Sequence, residues 1–327
     1  MLAVLNRDPS PPATNVPTPR RRREARGGRG GIRGTASPPQ KKVREGDFSN
    51  PVQASTVSKG NPQLVEPHLE EILCNLGLRD SEFESIADYL TRQKDLNGKM
   101  RGILVDWLVD VNLKFKLLPQ TLFLTVSVLD RFLAVRLIER SKLQLIGVTA
   151  LMIVAKYEEI YPPQLKDYVA VCDNAYTRSE LLRTEAEILQ ALNFELNRCT
   201  PYTFLELFRQ KIALEDKAFI FARYLLETAL LDPIHLRHSA LDLAAAALFL
   251  VHKVYKLSWD PAPVKGLREF DEGKVKNCAK DLFVLLNKYD ASPLSAVKRK
   301  FSEAQYFEVS KYRIETGRTP AASSSSA

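Results

Sequence analysis

Cysteine is sparse in this chain. There are four in 327 residues, Cys74, Cys172, Cys199 and Cys278, far apart and never as CxxC. That spacing excludes a disulfide scaffold, a zinc ribbon and a CxxC redox motif, and it suits a reducing compartment. Histidine is equally scarce. Of His68, His235, His238 and His252, only His235 and His238 stand i, i+3, and no acidic or Cys ligand pattern accompanies them, so no metal site is expected. Long apolar runs are missing too: Leu243 to Val251 is typical, well short of the about 20 residues a membrane helix needs. Met1 to Asp8 holds no apolar run of signal-peptide length. GxxxxGKS/T, GxGxxG and GxSxG do not occur, which removes the common phosphate-cradling and nucleophile-elbow motifs. The expectation is a soluble intracellular binding module, with no cofactor, no metal and no catalytic residues of its own. Hydrophobic residues make up 45%, enough to bury a core.

The net charge of +8 sits in one place. Residues 1–63 carry twelve Lys and Arg against four Asp and Glu, while the remaining residues carry 35 of each sign. The same stretch has nine of the 19 prolines, seven of the 14 glycines and one aromatic, Phe48. Such a composition cannot bury enough surface to offset the entropy of ordering, so 1–63 reads as a disordered basic tail. Arg20, Arg21, Arg22 and Arg23, and Lys41, Lys42 and Arg44, form short clusters of the nuclear-import type, which predicts residence in nucleus and cytoplasm. Arg26 to Gly31 resembles an RGG box, a candidate RNA contact. Ser10, Thr18 and Ser37 each precede Pro and are candidate phosphosites.

From Leu64 onward apolar residues recur at helical spacing, and no long stretch alternates as a half-buried strand would. The fold class is all-α. Breakers divide the helices. Asp80-Ser81 can cap a helix to about Thr91; after Asn97-Gly98 a helix runs to about Phe115; Pro119 opens one to Val135; Ser141 can cap one to about Lys156. Shorter helices follow at 164–172 and 178–192, then a second series at 201–211, 215–231, 236–255 and 272–288. The run Thr149 to Lys156 precedes the run Ala246 to Lys253 by 97 residues. Both are nearly all apolar, with small residues on one side. A helix apolar all round is buried all round, so each half is expected to wrap about four helices around one central helix.

Two surfaces stand out. The helix after Gly98 has more apolar residues than one stripe needs. Leu104, Leu108, Val111 and Phe115 make a core-facing row; Met100, Ile103, Leu104 and Trp107 make a second. The second row is either buried as well or an exposed groove for a short peptide, with Asp110 one turn beyond Trp107 to pair a basic residue. The other surface is Lys156-Tyr157-Glu158-Glu159 at the end of a buried helix, with Glu185 on a later one. Lys156 is there either to cap the helix dipole or to form a functional pair with Glu185.

At these residues the sequence resembles a known family. Met100 to Val109 is similar to the MRxILxDWL signature of mitotic cyclins, and Leu129 to Leu133 to their DRFL segment. Lys142 to Ala150 and Lys156 to Pro163 resemble the KLQLVGVTA and KYEExYPP segments. Asp173 to Thr177 and Ala191 to Phe194 favour the B-type subclass, and Leu294 to Tyr312 resembles the C-terminal segment. The match spans about 80–310 and is densest over 99–196.

The resemblance implies two tandem five-helix cyclin boxes preceded by a helix near 80–92. The implied organisation is a basic tail 1–63 for import and regulation, an N-terminal helical segment 64–97 and an N-terminal box 98–196. A C-terminal box and segment 197–312 and a disordered tail 313–327 complete it. The implied function is to bind and activate a cyclin-dependent kinase in a heterodimer controlling the G2/M transition and mitosis. Lys156, Tyr157, Glu158, Glu185, Phe194 and Leu196 would face the kinase. Met100, Ile103, Leu104, Trp107, Leu143 and Gln144 would form a groove for RxL-type motifs of substrates or inhibitors. Asp110 falls where the family usually carries Glu, which keeps the charge and shortens the reach. Arg101 and Asp130 match a buried structural ion pair. No Arg in residues 1–63 has Leu three positions on and no KEN occurs, so the usual destruction signals of mitotic cyclins are missing from that stretch. A transcriptional-type cyclin, or an inactive cyclin-like scaffold with an RNA-contacting RGG tail, stays open as an alternative. A factor IIB-type protein would need the absent zinc ribbon and a basic folded face.

Overall fold

Capping chemistry sets the helices one by one along the computed structural model, which describes residues 68–81, 86, 88–212, 214–255 and 271–312. The candidate phosphosites Ser10, Thr18 and Ser37, both import clusters, the RGG-like run and the 313–327 tail lie outside them. The described residues form twelve α-helices, several 3-10 turns and no strand. These are α1 Leu69–Ser81, α2 Tyr89–Arg92, α3 Gly98–Lys114, α4 Pro119–Val135, α5 Leu143–Glu158 and α6 Leu165–Val171. Then come α7 Arg178–Ala191, α8 Pro201–Ile212, α9 Asp216–Ala229, α10 Ala240–Val254, α11 Glu272–Asp290 and α12 Ala296–Lys300.

Asn97 opens α3: its side-chain oxygen accepts the Met100 N–H at 3.0 Å. Pro119 sits in the first turn of α4, where its missing N–H costs nothing. Thr177 and Glu180 cap each other at the start of α7, and Ser239 accepts the Asp242 N–H at the start of α10.

Three boundaries differ from the sequence reading. The helix expected from Asp80 to Thr91 ends where it was meant to begin: Asp80 and Ser81 close α1, and only Tyr89–Arg92 is helical beyond them. Asp80 is a cap, but for another helix, since its carboxylate accepts the Leu241 N–H at 3.0 Å in the first turn of α10. Ser141 caps nothing. It lies in a 3-10 turn, donates to Glu139 at 3.4 Å, and α5 starts after it at Leu143. The helix expected over 236–255 is divided, with a 3-10 turn at Pro233–Arg237 and α10 beginning only at Ala240 behind its Ser239 cap.

Two helices form the cores, as their composition requires. In α5, every residue from Leu145 to Ala155 is buried, against α3, α4, α6 and α7. In α10, Ala240 to Leu248 are buried against α1, α8, α9 and α11. Small residues set the spacing. A Cβ on Gly147 would lie 2.8 Å from the Leu104 side chain, so the glycine lets α3 seat on α5.

One buried ionic node joins the halves. Arg101 is 1% exposed and Asp130 not at all. The guanidinium donates twice to the Asp130 carboxylate, both at 2.6 Å, and once to the Leu230 carbonyl at 2.7 Å. The Tyr89 hydroxyl donates to the same carboxylate at 2.7 Å. Helices α2, α3 and α4 and the chain leaving α9 are thus held by four bonds.

His235 is buried beside this node, and its Nδ1 lies 2.6 Å from the Asp232 carbonyl. Burial, helped by the Arg101 charge, pushes its pKa down to about 4. A base held below its unfolded value of 6.5 contributes stability above that value and loses it as pH falls toward 4. The wild type is therefore expected to lose about 3 kcal/mol more than His235→Gln between pH 6.5 and 4. Parallel urea titrations across that window read this difference; equal losses in the two proteins would refute it.

Candidate functional site

The first candidate face lies at the C-terminal end of α5. Lys156 and Tyr157 are the first exposed residues after the buried run, and the lysine sits where a helix dipole favours a cation. Its Nζ donates to Glu185 Oε1 on α7 at 2.6 Å. Lys156 still reaches solvent while Glu185 is mostly covered. The structure thus brings together two residues 29 positions apart. At the end of α5, on α7 and just beyond each, large apolar side chains stand in water: Tyr157 is 51% exposed, Ile160 87%, Tyr161 88% and Phe194 67%, with Leu182 also exposed. Leu196 is half-buried. Glu158 is half-buried too; burial raises its pKa, and the Glu159 charge adds to that.

Phe194 is held out by its backbone. The end of α7 is a Schellman turn: the Phe194 N–H donates to Leu189 O at 2.8 Å and the Asn193 N–H to Gln190 O at 3.1 Å. Asn193 and Phe194 both have positive φ, 50° and 59°. That region is uncommon for a bulky residue and costs free energy. The turn leaves the aromatic ring of Phe194 in solvent.

Glu159 has a different task. Its carboxylate accepts the Leu118 N–H at 2.8 Å and the Thr121 hydroxyl at 2.5 Å, fastening the start of α4 to the end of α5. The sequence reading missed this fastening, and it named neither Ile160, Tyr161 nor Leu182 as part of the face. Ile160 and Tyr161 lay in the KYEExYPP-like run, so their signal was available. Leu182 looked like any apolar residue on an amphipathic helix.

The second candidate face runs along α3. Of the proposed groove, Met100, Ile103, Trp107 and Gln144 are half-buried and border solvent. Leu104 and Leu143 do not: both are core residues, Leu104 pressed on Gly147. The second row therefore splits, with Leu104 as floor and its neighbours as rim. Asp110 lies at the edge of this row and is paired with Arg299 of α12. One turn earlier Asp106 accepts the Ala296 N–H at 2.9 Å. Burial raises the Asp106 pKa, and that bond works against the rise.

Among the described residues no three His, Cys, Asp or Glu side chains group to hold a metal, and no helix is long and apolar enough to cross a membrane. A cavity of about 460 Å³ lies where α1, α4, α8 and α10 meet. Its one thiol, Cys199, points to Leu76 O at 3.7 Å, and burial raises its pKa, the reverse of an activated nucleophile.

Comparison with known proteins fits this architecture. The family model described as the cyclin N-terminal domain matches residues 71–197, and the cyclin C-terminal domain matches 199–315. The G2/mitotic-specific cyclin-B of Marthasterias glacialis is 34% identical over 79% of this chain and 67% of its own length. Cyclin-A1-1 of Arabidopsis thaliana is 36% identical over 78% of this chain and 57% of its own. The chain thus spans about three fifths to two thirds of the length of these relatives. Among solved structures, a viral cyclin from herpesvirus saimiri superposes with a TM-score of 0.60 at 21% identity, covering 66% of this chain and 97% of that one. The two tandem helical units are cyclin domains, and the chain belongs to the cyclin family, alongside the G2/mitotic-specific B-type cyclins.

Proposed function

We propose that this chain is a non-catalytic regulatory subunit that binds and activates a cyclin-dependent Ser/Thr kinase at the G2/M transition. The observation that carries the reading is the Lys156–Glu185 pair at 2.6 Å, with Tyr157, Ile160 and Tyr161 exposed just after Lys156 and Phe194 exposed just beyond α7. Charged groups among exposed aromatics are what a partner-binding centre is made of.

The mechanism is a shift of population. A kinase orients ATP phosphates only when its strand Lys pairs with the Glu of its helix C. A rigid helical partner that binds only the helix-in state draws the kinase toward it. Moving 1:99 to 99:1 takes about 5.5 kcal/mol of differential binding. Charge-assisted bonds from Lys156 and Glu185, with burial of the exposed rings, are of that order. The half-buried rim of α3, with Asp110 at its edge, would in addition recruit substrates or inhibitors through RxL-type motifs. The basic clusters of the tail support nuclear as well as cytoplasmic residence.

The test is phosphorylation of a Ser-Pro-x-Lys peptide by a monomeric mitotic cyclin-dependent kinase, with and without the full chain. The wild type is expected to activate, and Lys156→Ala/Glu185→Ala to lose at least about tenfold of that activation. Failure of the wild type across several such kinases would sink the reading.

A further inference from the structure

The acidic residue at the edge of the α3 rim is already occupied from within the chain. Arg299 donates through Nη2 to Asp110 Oδ1, and both side chains still reach solvent. The contact is positioned by the rest of α12 and the residues before it. Asp106 holds the Ala296 N–H. Leu294 lies beside Gly102, 3.3 Å from where a Cβ would stand. Lys298 is bound to Asp290, at 2.8 Å to its carbonyl and 2.5 Å to its carboxylate, and Lys300 to buried Glu227 at 2.6 and 2.8 Å. The backbone around Arg299 is therefore held, while its long side chain is more than half exposed.

We propose that Arg299 is a built-in competitor for docking: it stands in for the arginine of an incoming RxL-type peptide and must leave Asp110 before that arginine can pair. The inference rests on the docking groove proposed above and adds its regulation. The physics is that of a tethered ligand. A group held beside its site acts at an effective concentration of millimolar order, far above that of a free peptide. Because the pair is exposed, the contact is modest, and its removal gains about two- to fivefold in affinity rather than orders of magnitude. The competition is specific to charge. A peptide that brings no cation to Asp110 leaves Arg299 in place and is indifferent to it.

The experiment is fluorescence anisotropy of a labelled Arg-x-Leu peptide, and of its Ala-x-Leu counterpart, titrated with the full chain. Arg299→Gln is expected to bind the Arg-x-Leu peptide about two- to fivefold more tightly than wild type, with Arg299→Lys between them. The Ala-x-Leu peptide should bind all three alike. In Asp110→Asn/Arg299→Gln the gain should vanish. If wild type binds the Arg-x-Leu peptide, Ile103→Ala weakens it and Arg299→Gln leaves it unchanged or weaker, the groove stands and the competitor role is overturned. If neither wild type nor Arg299→Gln binds, the groove reading falls and the competitor role falls with it.

Discussion

Asp130→Ala is expected to lower the free energy of unfolding by about 3–5 kcal/mol, the cost of stranding a buried charge. The carboxylate accepts two bonds from Arg101 and one from Tyr89, and all three residues are buried. Without it, the guanidinium keeps a single acceptor, the Leu230 carbonyl, and the buried Tyr89 hydroxyl loses its acceptor. Removing both charges is a different experiment. Arg101→Met/Asp130→Leu takes away the desolvation cost along with the attraction, so it should be much milder than the single variant. The comparison is read from urea midpoints at constant slope. A single variant no worse than the double would mean the node contributes no more than its packing. Because Leu230 follows α9 while Tyr89 precedes α3, the single variant should also raise amide exchange at the seam between the two boxes.

Glu227→Gln should be the second large effect, and it should exceed that of its partner's replacement. Glu227 lies between two cations: Lys300 donates to both its oxygens and Arg223 donates to one at 2.7 Å. All three are buried, and Arg223 lies under the rings of Phe301 and Tyr306 at 5.5 and 5.7 Å. Neutralising the one anion leaves two buried like charges facing each other, a loss again of about 3–5 kcal/mol. Lys300→Met removes one cation and leaves a balanced Arg223–Glu227 pair. Burial, with the Arg223 charge behind it, brings the Lys300 ammonium down to about 8 against the pull of Glu227. Because the remaining pair is charge-balanced and hydrogen-bonded, Lys300→Met should be much milder than Glu227→Gln. Thermal unfolding of the two variants side by side settles the order; a Lys300→Met as damaging as Glu227→Gln would refute this reading of the triad.

Local chemistry was legible in the sequence and distant chemistry was not. The helices of α5 and α10 follow from runs that are apolar on every side. Asn97 and Pro119 mark helix starts that can be read within four residues. Asp80 could not be assigned in this way, because its partner amide is 161 residues downstream. Ser141 carried a cap signal, yet a 3-10 turn intervened. On α3 the periodicity placed Ile103 and Leu104 on apolar arcs but could not say which faced water. That depends on Gly147, across the interface. The exposure of Phe194 followed only from the family resemblance, because the left-handed turn that presents it contains no glycine. The Asp110–Arg299 contact joins residues 189 apart, and Arg299 lay in a segment valued only for its resemblance.

Helix α12 has a consequence for how the chain is made. Three successive residues, Lys298, Arg299 and Lys300, reach α11, α3 and α9 in turn. All three of those helices leave the ribosome before α12 does. During synthesis Glu227 must therefore wait, close to one cation instead of two, until residues 296–300 clear the exit tunnel. A nascent chain stalled or cut short before Ala296 would lack the end of its second box and leave Asp106, Asp110 and Glu227 without these partners. Five residues thus complete contacts that no earlier part of the chain can make.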